Sequence, residues 1–293
     1  CIADDEVVPA NLLLMPGIYN SSITSKMIRV AEARQDVLAI IDLEGDYVPV
    51  ERSSNRTATM PTVSTTVDNL KNRNLNSSYA CAFFPWVQVV DTLGNSEMVW
   101  VPSSVAGLGA IATSQASSDV WFAPAGFNRG GLGDLGGRGG PRVVQARMRL
   151  DSSERDELYV QNINPIATFP NEGVVIFGQK TLQQTNSALD RINVRRLMLY
   201  LKRKIATVAK GVLFDNNVQA TWNRFKSDAN PILAEVQSRY GLTEYKLVLD
   251  ETTTTPDLID RNILYAKVFL KPARAIEFIA IDFIISKTGA EFA

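Results

Sequence analysis

The sequence predicts an α/β fold that turns α+β toward its end. The expected architecture is a parallel or mixed sheet with flanking helices, then a helical segment packed on a C-terminal antiparallel hairpin sheet. Three observations predict it. Residues 11–41 read strand, helix, strand, a βαβ unit whose two strands should be parallel. A glycine-rich stretch, 126–141, separates two differently patterned halves. Beyond it, two long helical stripes precede apolar runs that alternate faces. The divisions that follow are residues 1–125 as the first half of the core, 126–156 as linker and irregular chain, and 157–293 as a C-terminal domain.

Taken in order, Leu12-Leu13-Leu14 sits in a short apolar run that stops at Pro16-Gly17, a buried strand. Ile23, Met27, Val30 and Ala31 then recur at helical spacing. A second buried strand, 37–41, closes on Asp42. Residues 44–62 are polar and proline-punctuated, so they read as loop. Val63, Val67 and Leu70 mark a second helix. Residues 77–86 form a third buried strand, which 87–90 extend beyond a bend at Pro85, and 93–95 is a turn. A short strand, 97–101, closes on Pro102. Ser103 or Ser104 can cap a helix over 105–114, whose small residues suit close packing on a sheet.

In the second half, the alternation in 143–156 is too weak to assign. Residues 157–162 read as a strand, Asn164-Pro165 as a turn, and 173–178 as a strand bounded by glycines. A long helix spans 187–210, with Val194, Leu197, Leu201, Ile205 and Val208 as one apolar stripe. Another spans 217–240, with Trp222, Phe225, Ala229, Ile232, Val236 and Tyr240 buried. Pro231 predicts a kink or a new first turn there, and Gly241 a C-terminal cap. Strands follow at 245–249, 263–270 and 276–285. The last two are expected to pair antiparallel across 271–275.

Composition narrows the chemistry. The chain has no histidine, which removes the commonest general base and metal ligand. Its two cysteines cannot make a disulfide framework. No apolar run is long enough to span a bilayer. Gly131-Leu-Gly-Asp-Leu-Gly136 spells a dinucleotide fingerprint, but further glycines and Pro141 follow, where that chemistry needs a helix N-terminus. Three Asn-x-Ser/Thr triplets begin at Asn20, Asn55 and Asn76; with no secretory signal they read as chance. One enzymatic alternative remains, a carboxylate-dependent α/β enzyme using Asp42, Asp250 and Glu251 near strand ends.

The helix at 187–210 holds a charge anomaly. The whole chain has a net charge of −1, yet Arg191, Arg195, Arg196, Lys202, Arg203, Lys204 and Lys210 face one acid, Asp190. Like charges at i,i+4 repel, so acids elsewhere in the fold or on a partner should offset them. A nucleic-acid face is a weak reading, because the chain is near neutral overall and Tyr200 is the only aromatic among these cations.

Several segments in one order resemble the contractile tail sheath proteins of bacteriophages. They are residues 30–42 (Val-Ala-Glu-Ala-Arg-Gln-Asp-Val-Leu-Ala-Ile-Ile-Asp), 77–87 with Ser78-Tyr79-Ala80 and Pro85-Trp86, 101–107, and 120–125 with Trp121-Phe-Ala-Pro-Ala125. The series continues with Asn164-Pro-Ile166, 173–182, Asp190-Arg-Ile-Asn-Val-Arg-Arg-Leu197, Phe214-Asp-Asn-Asn217 with Trp222, and Glu277-Phe-Ile279. Phe177 and Lys180 stand where the family usually has Trp and Arg. The glycine-rich linker is longer than expected, and the family's N-terminal arm is absent before Cys1, so the chain reads as a core fragment, expected to be monomeric.

The resemblance implies a structural subunit and no enzyme, with no catalytic residue, cofactor or metal. It implies a virion tail component assembled in the host bacterial cytoplasm. The implied partners are other sheath subunits, the tail tube protein, and baseplate and tail terminator proteins, with no nucleic acid and no membrane binding. Contraction from a metastable extended state would drive the tube through the host envelope. The family joins subunits by β-augmentation. Here that joint would use Ile276, Phe278, Ala280, Asp282, Ile284, Lys287 and Phe292, and the seven cations of the basic helix would meet the tube or a neighbouring subunit.

Overall fold

A computed structural model describes residues 2–4, 7–44, 62–91, 97–133 and 142–277. The expected loop at 44–62 and turn at 93–95 lie almost wholly outside these residues, as does the expected strand at 276–285 past Glu277.

The centre is a five-stranded sheet in the order β1 (Leu12–Leu14), β2 (Leu38–Ile41), β3 (Ala80–Phe84), β7 (Ile163–Phe169), β8 (Gly173–Ile176). β1, β2, β3 and β7 are parallel, and β8 closes the edge antiparallel to β7. The βαβ unit forms as expected through α1 (Ser21–Arg34), which Asn20 caps by accepting from the Ser22 and Ile23 amides. β2 and β3 are buried along their whole length, as parallel strands covered on both faces require.

One sheet face packs α1, α2 (Val63–Asn72) and α5 (Ser152–Val160) through Met27, Val67, Leu70 and Leu158. The other packs α3 (Ser103–Ser117) and a second, antiparallel sheet of β5 (Met98–Val101), β4 (Val87–Val90) and β6 (Val143–Ala146). Past Pro85 the chain therefore leaves the first sheet for the second. A short α4 (Gly126–Arg129) leads into residues 130–132, which run along β8: Ile176 donates to the Gly130 carbonyl and Leu132 to Val174, both at 2.8 Å. Gly131 and Gly133 thus open no helix.

The C-terminal body joins α6 (Ile192–Lys210), α7 (Gln219–Ser238), β9 (Leu242–Val248), a short α8 (Pro256–Asp260) and β10 (Lys267–Pro272). Leu197, Leu201, Leu233, Val236 and Leu242 are its centre. Trp222, Phe225, Ala229 and Leu249 extend it. Pro231 lies within α7, which continues through it.

Several expectations change. Residues 157–160 are helical, because Asp151 and Glu154 form a reciprocal capping box that starts α5. Asn164-Pro165 lies within β7; proline bends an open chain but also holds its neighbour extended, and the Asn164 side chain replaces the lost ladder partner. α3 starts at Ser103, two residues before the expected start, with Pro102 in the cap position. A 3-10 turn, Ala188–Asp190, precedes α6. The left-handed residue ending α7 is Tyr240 (φ 64°), and Gly241 follows with its amide on the Val236 carbonyl at 2.8 Å. A Cβ at Gly241 would lie 2.5 Å from a Val236 methyl, so glycine is required by space.

Two features concern topology. β7 and β8 belong to the first sheet, so the division at residue 157 cuts through it. β10 pairs antiparallel with β9, in register Val268↔Leu247 and Leu270↔Tyr245, while the expected partner strand at 276–285 lies outside the described residues past Glu277. That register puts all four residues on the face packed against α6 and α7.

Candidate interaction site

The expected cations divide into two groups along α6. The first three lie where the C-terminal body meets the sheet. Arg191, at the N-cap, is extended (φ −114°, ψ 138°) and reaches Asp190 at 3.1 Å. Its guanidinium also grips Glu277 with two bonds, 2.6 and 2.9 Å. Burial works against the charge on Arg191, but the Glu277 and Asp190 carboxylates outweigh it and raise its pKa. Burial and the neighbouring Glu277 carboxylate push the Tyr159 phenol up, so it stays protonated.

Arg195 is buried, donates to the Ser78 hydroxyl and lies 4.0 Å from the Tyr79 ring centroid. Arg196 is only 3% exposed; it donates to Gln115 at 2.6 Å, and burial lowers its pKa to about 10. Arg195 and Arg196 are therefore held inside this chain. Their charges are spent inside the chain, which answers part of the charge anomaly.

The same seat gathers other segments of the sequence resemblance. Asn164 donates to the Ala82 and Lys180 carbonyls at 2.9 and 2.8 Å and accepts from the Lys180 amide at 2.6 Å. Lys180 donates to the Tyr159 carbonyl at 2.6 Å. Ile192 donates to Gln179, and Thr181 to Asp190. Asn193 donates to the Trp121 carbonyl, and the Trp121 indole to that of Arg239. Side chains separated by up to 117 residues, Arg195 and Ser78, thus lock the helical body to the sheet.

The remaining cations, Lys202, Arg203, Lys204 and Lys210, are exposed. Lys202 reaches Gln35 at 2.7 Å, Arg203 meets the Ala10 carbonyl and Asp36, and Lys204 lies over the Tyr200 ring. Of the expected strand joint, Ile276 is exposed. Phe278, Ala280, Asp282, Ile284, Lys287 and Phe292 lie outside the described residues.

The Arg191–Glu277 pair was missed from sequence. A signal existed: a cation at a helix N-terminus opposes the dipole and calls for an acid nearby.

The carboxylates of the enzyme alternative are occupied separately. Asp42 binds the start of α3, while Asp250 accepts from Thr252 within a turn. Among the described residues no three of His, Cys, Asp and Glu could hold a metal, and no helix is long and apolar enough to cross a membrane. Burial pushes the Cys81 thiol up to about 12, so it is no nucleophile.

This fold is shared with contractile sheaths. It superposes on the sheath of an extracellular contractile injection system in its contracted state with a TM-score of 0.75 and 21% identity, over 94% of this chain and 70% of that one. The contracted helical sheath of the anti-feeding prophage gives 0.69 and 23%, over 96% and 71%. Residues 184–286 match the phage tail sheath C-terminal domain. The tail sheath protein of Vibrio phage KVP40 is 32% identical over 305 residues, 100% of this chain and 44% of that relative. That of Enterobacteria phage T4 is 32% identical over 276 residues, 93% and 40%. The chain thus carries a match to the phage tail sheath C-terminal domain and aligns along its length with phage tail sheath proteins, while spanning less than half the length of these relatives.

Proposed function

We propose that the chain is the core of a contractile tail sheath subunit, which assembles helically around the tail tube and shortens to drive it through the host envelope. The observation that carries this reading is the alignment of this whole chain with part of the tail sheath proteins, joined to a seat where polar residues fasten two bodies together. A subunit that transmits force needs such a fastening more than it needs a reactive cavity. Negative-stain microscopy of the full-length protein tests it. Long hollow tubes are expected; compact particles alone would overturn the reading.

The tube-facing element is the exposed part of α6. Lys202, Arg203, Lys204 and Lys210 supply weak, numerous contacts of about 0–1 kcal/mol each, suited to a surface that must let go. Changing Lys202, Arg203 and Lys204 to Glu is expected to detach the sheath from the tube while leaving the chain folded. Unchanged extended tails sink that assignment. Subunits join through strands added to the β9–β10 sheet, with residues 286–293 as arm or stub. Deleting 286–293 from the full-length protein should abolish tubes but not folding, and normal tubes from the deletion would count against it. The baseplate and tail terminator are the partners at the two sheath ends. Assembly takes place in the host cytoplasm, and the isolated core is a monomer.

A further inference from the structure

The turn between α6 and α7 carries an anomaly. Phe214 is fully exposed, and its backbone is left-handed, with φ 67°. Bulky side chains avoid that conformation, and an aromatic ring gains nothing from water. Leu213 beside it and Val218 are also exposed. The turn is nevertheless well held. Arg224 binds Asp215 and the Gly211 carbonyl, Thr221 donates to the Asn216 carbonyl at 2.7 Å, and the Trp222 indole donates to Asn217 at 2.7 Å. A rigid apolar knob is thus displayed at a cost to the isolated chain.

A matching cleft lies on the other body. It is lined by Ala123, Ala125, Tyr159, Pro165, Phe177 and Ile276, with a volume of about 240 Å³. That is below the roughly 300 Å³ at which pockets for drug-sized ligands begin, so it is sized for side chains. Phe177 is half exposed and packs with Phe127 and Phe169, leaving aromatic surface open at the mouth. Asp156 and Glu277 line the cleft together with Arg155, and Lys210 and the Asp215-paired Arg224 lie beside the knob.

The knob cannot reach its own cleft. Gln179 and Glu277 line that cleft and sit against the N-terminus of α6, and the helix then runs about 27 Å to Lys210. The cleft and the knob therefore sit near opposite ends of one rigid helix.

We propose that Leu213 and Phe214 of one copy seat in the cleft between α5 and β8 of the next copy. Knob and socket are different surfaces, so the contact is head-to-tail and propagates into an open helical polymer instead of closing a dimer. The proposal deepens the sheath reading and rests on it.

The test uses full-length protein in which every reactive cysteine, Cys1 among them, is changed to Ser; Cys81 is buried. One preparation carries Phe214→Cys and another Ile276→Cys. Mixed, assembled and oxidised, they are expected to form disulfide-linked pairs. Absence of those pairs in wild-type-like tubes, or capture of Phe214→Cys by the tube protein instead, overturns the proposal. Phe214→Gly, which suits the left-handed backbone and so keeps the fold, is expected to raise the concentration needed for polymerisation by about 10- to 100-fold. Polymerisation like wild type sinks the proposal. If no tubes form but the cross-link does, the contact stands and the sheath reading falls.

Discussion

Replacing Asn164 by alanine lowers the stability of the folded chain by about 3–4 kcal/mol, read as a fall in the urea midpoint at unchanged slope. The Asn164 side chain is completely buried and serves three backbone groups: the Ala82 carbonyl, the Lys180 carbonyl and the Lys180 amide. Each buried polar group left unpaired costs about 1–3 kcal/mol. Pro165 brings no N–H, and the Lys180 ammonium already donates to the Tyr159 carbonyl. The loss also loosens the strand leading into the Arg191–Glu277 seat. A change below about 1 kcal/mol would show that water fills the gap and that the seat is not organised by this residue.

Removing the Asp42 carboxylate with Asp42→Ala should cost at least about 3 kcal/mol. Asp42 closes β2 and accepts from the Gly17 amide at 2.7 Å, the Ser104 amide at 3.0 Å, and the Ser103 and Ser104 hydroxyls. It is the N-terminal cap of α3, supplied from another strand because Pro102 has no side chain to offer. Burial raises its pKa above 3.8 and outweighs the four donors, which pull the other way. A carboxyl whose pKa is raised by folding favours the fold most when protonated, below 3.8, and that contribution fades as pH rises through the folded value. Wild type should therefore lose more stability than Asp42→Asn between pH 3.8 and neutrality. A difference that grows in favour of wild type as pH rises over this window contradicts the assignment.

Much of the fold was legible because the pattern was local. The leucines at 12–14, the stripe through Met27 and Ala31, and the run at 38–41 each specify an element and its buried side without help from elsewhere. The misreadings share a cause. At 157–162 the apolar residues permitted a strand, and a capping box six residues upstream decided for helix. At Asn164-Pro165 a turn signal was overridden by a side chain that pairs with two neighbouring segments. At 263–270 the alternation was right, and β9 is a neighbour it did not name, since alternation gives a strand's faces and not its partners.

The candidate site divides in the same way. The sequence by itself determined that α6 is an amphipathic helix with an excess of positive charge, and that the chain holds no histidine-based chemistry. It could not say which cations are available. Only the tertiary structure decided that Arg195 and Arg196 are buried against Tyr79 and Gln115, that Arg191 closes on Glu277 across 86 residues, and that Lys202, Arg203, Lys204 and Lys210 remain exposed. The physical reason is range. Helical periodicity follows from backbone geometry within a few residues, whereas the fate of a charge depends on which distant carbonyl, ring or carboxylate the fold carries to within about 3–4 Å of it.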